Sequence, residues 1–179
     1  MFLLRQATQA DLDFLVHADL DSDGDLAAFS TWTLEEQQEH RQKIAGFAQG
    51  GEQRSAWVIV DTERNLSVGT ISCRWRNRSE QYGIFGELAE ELFPEDGRFC
   101  EIFQLWVDPE FRRRGLGTRL KEQVEVECRE RGVGMIYTHT EEQNRHVIVL
   151  NERLGYQQVR RGPIWDDVVR ISLVKRLDK

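Results

Sequence analysis

The sequence predicts a single mixed α/β domain over residues 1–179, a central sheet flanked by helices, on three observations. Short β-branched and aromatic runs alternate with stretches whose apolar residues recur every three or four positions. An apolar strand, Ile102 to Val107, feeds a helix through the glycine turn Arg112-Arg113-Arg114-Gly115-Leu116-Gly117-Thr118. The 179 residues, 40% apolar, suffice for one well-buried core but not for two comfortable ones.

Composition narrows the classes further. No apolar run exceeds Ala56 to Val60, and Met1 to Leu4 followed by Arg5 lacks a signal-peptide core, so a soluble, cytoplasmic protein without a membrane partner is expected. Cys73, Cys100 and Cys128 are widely spaced and form no C-x-x-C pair, which predicts buried thiols rather than a disulfide framework or a zinc site. A net charge of -7 argues against a nucleic-acid partner and suits a cationic ligand, while the arginines at 112–114 and 160–161 suit small anions.

In chain order, Leu3 to Gln6 reads as a strand, and Thr8 as the cap of a helix with Leu12, Leu15 and Val16 on one face. Asp19 to Leu26 matches the first half of a calcium-binding loop, but Ser30 stands where the bidentate glutamate belongs, so a solvated acidic loop is expected and no metal. Thr33 and Glu36 can form a capping box for a helix to Phe47 that Gly50-Gly51 ends. Ala56 to Asp61 and Val68 to Arg76 read as a hairpin.

Asn77 to Arg98 is irregular, with Tyr82-Gly83 and Phe85-Gly86 before a short helix at 87–92. Its acids, Glu87, Glu90, Glu91, Glu95 and Asp96, fit either an exposed connection or a flap that draws a cation.

Phe99 to Val107 is the next strand. The helix from about Arg114 to Arg131 buries Leu116, Leu120, Val124 and Cys128, with Glu125–Arg129 and Glu127–Arg131 pairs on its wet side and Gly132 as its stop. Met135 to Thr140 is a strand, Asn144 caps a helix that Gly155 terminates, and strands at 156–160 and 168–175 close the sheet. The five tryptophans read as core or rim packing.

A strand entering a helix through glycines presents backbone N–H groups and the positive end of the helix dipole, a cradle for phosphate. Arg112-x-x-Gly115-x-Gly117 in this context resembles the [Q/R]-x-x-G-x-[G/A] turn of the GCN5-related N-acetyltransferases, the GNAT superfamily. Asn144, Val147, Leu150, Asn151, Leu154, Gly155 and Tyr156 occupy the places of the family's N-x-x-A-x-x-L-Y-x-x-L-G-[F/Y] pattern, in the right order and spacing. The Arg5, Ala7, Asp11 opening extends the likeness over essentially the whole chain.

The resemblance implies a sheet whose fourth and fifth strands splay, acetyl-CoA as donor and an amine acceptor, with a homodimer left open. It implies that the backbone of Arg113, Arg114, Gly115 and Gly117 and the helix start at Thr118 grip the pyrophosphate, with Arg112 to Arg114 adding charge. Leu105 and Val107 would hold the pantetheine arm, the Leu105 N–H facing the thioester oxygen as an oxyanion donor. Glu101 stands where some members carry a catalytic glutamate that takes the amine proton, directly or through water, and burial at a strand start works against its charged form. Asn151 replaces the usual tyrosine acid, which leaves two alternatives: Asn151 hydrogen-bonds the departing sulfur, or water or another residue such as Tyr137 is the acid. Asn144, seven residues earlier, shares its helix face.

His139 is an alternate base, Gln104 a weaker substrate contact, and His17, His40 and His146 show no catalytic arrangement. The function implied is acetyl transfer to a primary amine of a cationic small molecule. Protein lysine or N-terminal acetylation is the alternative, and a non-catalytic acyl-CoA-binding module is the rival that Asn151 motivates.

Overall fold

A computed structural model gives the structure and describes residues 1–80 and 83–177. Seven strands, β1 (Phe2–Gln6), β2 (Arg54–Asp61), β3 (Leu66–Asn77), β4 (Arg98–Val107), β5 (Met135–Glu141), β6 (Gln157–Gly162) and β7 (Arg170–Arg176), form one sheet. Their order is β1-β2-β3-β4-β5-β7-β6. The helices are α1 (Leu12–Asp23), α2 (Leu34–Gln49), α3 (Leu116–Glu130) and α4 (Arg145–Arg153). The mixed α/β class expected from the sequence is the one observed. β4 and β5 run parallel and register at Cys100 with Ile136 and Glu101 with Tyr137, whereas β5 pairs antiparallel with β7 from Met135 to Glu141.

The chain gathers into two compact units, Met1–Arg74 with Phe103–Gln123 and Trp75–Ile102 with Val124–Lys179. The first has a core of Leu15, Val16, Leu20, Ile44, Phe47, Ala48, Ala56 and Val58, with Phe103 stacked on Phe47 at 4.8 Å. The second buries Phe85, Leu88, Phe93, Phe99, Met135, Tyr137 and Val174. In the first, alternate strand residues meet the helical stripes of α1 and α2, whereas in the second the strand residues pack against the irregular 84–93 segment.

Local chemistry sets most boundaries as expected. Thr33 Oγ1 accepts from Glu36 N at 3.2 Å while Thr33 N donates to Glu36 Oε2 at 2.7 Å, closing the capping box of α2. Gly132, at φ 64°, turns the chain out of α3, and Val133 N donates to Cys128 O at 2.8 Å. All three cysteines are buried.

Three expectations need correction. Residues 19–23 are not a loop but the last turns of α1, which Gly24 ends at φ 78°, and Asp19 is 2% exposed. Its place follows from spacing, because 19 continues the stripe of Leu15 and Val16. The Glu125–Arg129 and Glu127–Arg131 pairs form, yet both glutamates are buried, and Glu125 also accepts from Lys175 Nζ at 2.5 Å. The short helix at 87–92 is replaced by 3-10 turns at Gly83–Glu87 and Glu90–Leu92. Tyr82 lies outside the described residues.

Candidate active site

The glycine turn at 112–118 lies in the first unit. After β4, Asp108 Oδ1 accepts from Glu110 N at 2.8 Å and Pro109–Phe111 makes one 3-10 turn. Arg113 (φ 60°) and Gly115 (φ 74°) then both take left-handed conformations. Such alternation turns successive N–H groups toward one concavity. A non-glycine residue at positive φ is a local strain that points to function. The first α-helical bond of α3 runs from Arg119 N to Gly115 O at 3.0 Å, so the N–H groups of Leu116, Gly117 and Thr118 precede any helical acceptor. A Cβ added to Gly115 meets no atom within 4 Å, so this glycine answers to backbone conformation and leaves the cradle open.

All three arginines of the turn are exposed. Arg112 Nε donates to Val107 O at 2.9 Å, and Arg114 lies 5.2 Å from the Phe111 ring. Leu105 and Val107 are half-buried on β4. Between them Trp106 is buried and donates Nε1 to Asp21 Oδ2 at 2.8 Å. Gln104 points to that same side, where its Nε2 donates to Asp19 Oδ1 at 3.1 Å. Gln104 is therefore a partner of α1.

The second unit holds the other named groups. Glu101 is buried at 7% exposure, as expected, but a cation accompanies it, since Arg76 Nε donates to Glu101 Oε2 at 2.8 Å. Arg76 also reaches Glu80 at 3.1 Å. Tyr137, opposite Glu101 in register, is fully buried and donates to Ser172 Oγ at 3.1 Å. Burial pushes its hydroxyl pKa well up, which counts against Tyr137 as a proton donor near neutral pH. Burial, with Arg170 adding, holds His139 down to about 4, so its imidazole is neutral at pH 7. Its ring meets the exposed Trp165 edge-on at 5.2 Å, and the Arg170 guanidinium lies 4.0 Å from the Trp165 ring, so Trp165 packs at the rim.

On α4, Asn144 occupies the N-cap position but its side chain makes no capping bond, and its Oδ1 is buried without a hydrogen-bond partner. Asn151 is 0% exposed, and neither Oδ1 nor Nδ2 of its amide finds a partner among the described residues. Buried polar atoms are rarely left unsatisfied, and each costs roughly 1–3 kcal/mol if it stays so. Asn144 and Asn151 lie seven residues apart, the first as the N-cap of α4 and the second within it.

The acids of 87–96 are largely engaged. Glu87 accepts from Arg160 Nε at 2.9 Å, Glu90 pairs with Arg78, and Asp96 Oδ1 accepts from Arg98 N at 3.0 Å. Among the described residues no three His, Cys, Asp or Glu side chains converge as a metal site, and no helix is long and apolar enough to cross a membrane.

Sequence reasoning missed Arg76 and the Asp19 cluster. The signals were present: Arg74 and Arg76 share a face of β3 by alternation, and Asp19 falls on an apolar stripe.

Arabidopsis thaliana NAA60, solved with acetyl-CoA, matches the whole of both chains at TM-score 0.72 and 19% identity. The ribosomal-protein-S18-alanine N-acetyltransferase of Escherichia coli matches at TM-score 0.66 and 15% identity, covering 100% of this chain and 96% of that one. By sequence, the uncharacterized protein YxbD of Bacillus subtilis is 31% identical over 98 residues, 51% of this chain and 57% of that protein. The bS18-alanine N-acetyltransferase of Salmonella typhimurium is 39% identical over 57 residues, 32% of this chain and 38% of that enzyme. Residues 19–156 match the acetyltransferase (GNAT) family. With the glycine turn opening α3 and the two asparagines of α4 both inside that span, the chain belongs to the acetyltransferase (GNAT) family.

Proposed function

We propose that the chain, as one acetyltransferase domain over residues 1–179, transfers an acetyl group from acetyl-CoA to a primary amine. The observation that carries this reading is the set of unpartnered amide atoms of Asn144 and Asn151 on α4. The pantetheine arm of CoA is itself a chain of amides and offers the complementary N–H and C=O groups. The turn at Arg113, Arg114, Gly115, Gly117 and Thr118 supplies converging N–H donors for the pyrophosphate. Arg112 adds charge at its rim, and Leu105 and Val107 hold the arm.

In transfer, the amine nitrogen forms a bond to the thioester carbon and the C–S bond breaks. The Leu105 N–H steadies the charge on the carbonyl oxygen. Glu101, held by Arg76, takes the proton that the nitrogen loses, directly or through water. Asn151 Nδ2 donates a hydrogen bond to the departing sulfur. A thiolate is a fair leaving group near neutral pH, so no tyrosine is required at 151.

A cationic small-molecule amine is the acceptor we favour, on the net charge of -7. A protein α-amine is the second reading, supported by the 57-residue stretch that is 39% identical to an enzyme named for alanine of bS18. The test follows free thiol with acetyl-CoA and a panel of polyamine, aminoglycoside, lysine peptide and alanine-starting peptide. Thiol release with one class identifies the acceptor, and Glu101→Gln lowers kcat about 100-fold. Thermal stabilisation by CoA without thiol release over any amine would leave only an acyl-CoA-binding module, and full turnover by Glu101→Gln would remove the base.

A further inference from the structure

A second cluster of polar groups lies in the first unit, apart from the donor turn. Asp19 on α1 and His40 on α2 bring Oδ2 and Nε2 to 3.3 Å, a close approach without hydrogen-bond geometry, and neither atom has a hydrogen-bond partner among the described residues. Asp19 is fixed from its other oxygen by Gln104. A carboxylate oxygen 3.3 Å from Nε2 favours the proton on that nitrogen by its charge and leaves Nδ1 as the lone-pair nitrogen. Burial and nearby Lys43 hold the His40 pKa below its ordinary value, so the ring is neutral and can accept a hydrogen bond.

His40 also lines a pocket of about 370 Å³ with Trp32, Glu36, Glu39 and Lys43. Trp32 meets the His40 ring edge-on at 5.6 Å, and Phe29 packs against both at 5.3 and 6.1 Å. Glu36 spends one oxygen on the capping box, while Glu39 is exposed at the pocket wall. The Lys43 ammonium lies 5.1 Å from the Phe103 ring, a position that leaves two carboxylates against one cation in the lining. Asp23 and Asp25 add negative field at His40.

We propose that this pocket holds an ammonium group of a polyamine-type ligand, with His40 Nδ1 and Glu39 as its hydrogen-bond acceptors and Trp32 as its aromatic wall. Asp19 is a positioning residue that acts through His40. The inference deepens the reading of the chain as an amine acetyltransferase, and rests on it for the ligand's role as acceptor but not for the binding itself.

Calorimetric titration of spermidine into the full chain at pH 8 and low salt tests it. Glu39→Gln weakens spermidine binding about 3- to 5-fold, the loss of one exposed ion pair. His40→Phe weakens it about 10-fold through the lost hydrogen bond to a charged group. Glu35→Gln, the same charge change outside the pocket, stays within about twofold, as expected for screened charges. Asp19→Asn, which acts only through the ring, shifts the pH at which spermidine affinity falls while leaving affinity at pH 8 within about fivefold. Absence of binding to the wild type, or equal weakening by Glu35→Gln and Glu39→Gln, overturns the proposal. Acetyl-CoA stabilisation of the same variants, read by thermal shift, reports separately on the donor site, so failure there would refute the transferase reading instead.

Discussion

Asp19→Asn is expected to make the protein more stable at alkaline pH. Burial, with Asp23 adding to it, raises the Asp19 pKa from 3.8 to about 6, against the pull of Lys43 and Arg74. A carboxyl whose folded pKa is raised contributes stability that is fully present below the unfolded value and lost as pH climbs through the folded one. The window is therefore pH 3.8 to about 6, and the shift of about two units corresponds to roughly 3 kcal/mol at 1.36 kcal/mol per unit.

The charged and titratable neighbours are His40 at 3.3 Å, with Asp23, Asp25, Lys43 and Arg74 acting from further off, and they are common to wild type and variant. Asparagine keeps an oxygen for Gln104 and carries no charge to desolvate. At pH 8 the variant should melt about 6–12 °C above wild type, and the gap should close toward pH 4. Thermal and urea melts of both proteins between pH 4 and 8 measure it. Parallel stability curves, or a variant less stable than wild type at pH 8, would refute the reasoning.

Two further outcomes concern the donor site. Asn151→Leu, nearly isosteric, removes two unsatisfied buried atoms, so the free protein should gain about 1–2 kcal/mol in urea while CoA binding weakens about 10-fold. Loss of stability together with unchanged CoA affinity would contradict the assignment. Gly115→Ala forces a side chain into φ 74° and should cost about 1–2 kcal/mol, with a rise in KM for acetyl-CoA larger than any change in kcat. Unchanged KM would detach this turn from the pyrophosphate.

Features that depend on neighbours in the chain were legible without coordinates. The capping box of Thr33 and Glu36, the glycine stop at 132, the buried stripe of α3 and the strand–turn–helix around Gly115 all arise from dihedral preference and periodicity within a few residues. The helix start at Asn144 was legible for the same reason.

Only the tertiary structure decided what each charged side chain meets. Glu101 and Arg76 are 25 residues apart in sequence, Lys175 and Glu125 are 50 apart, and Glu87 finds Arg160 across 73. Those pairings turn expected solvated acids into paired or buried ones. A side chain's periodicity says which face it occupies, but its charge state and partners depend on which distant element packs against that face. The sequence thus determined the strands, the glycine turn that opens α3 and the helix that follows Asn144. The environments of Asp19 and Glu101 were decided by packing, because desolvation and ion pairing are set by groups the local sequence does not contain.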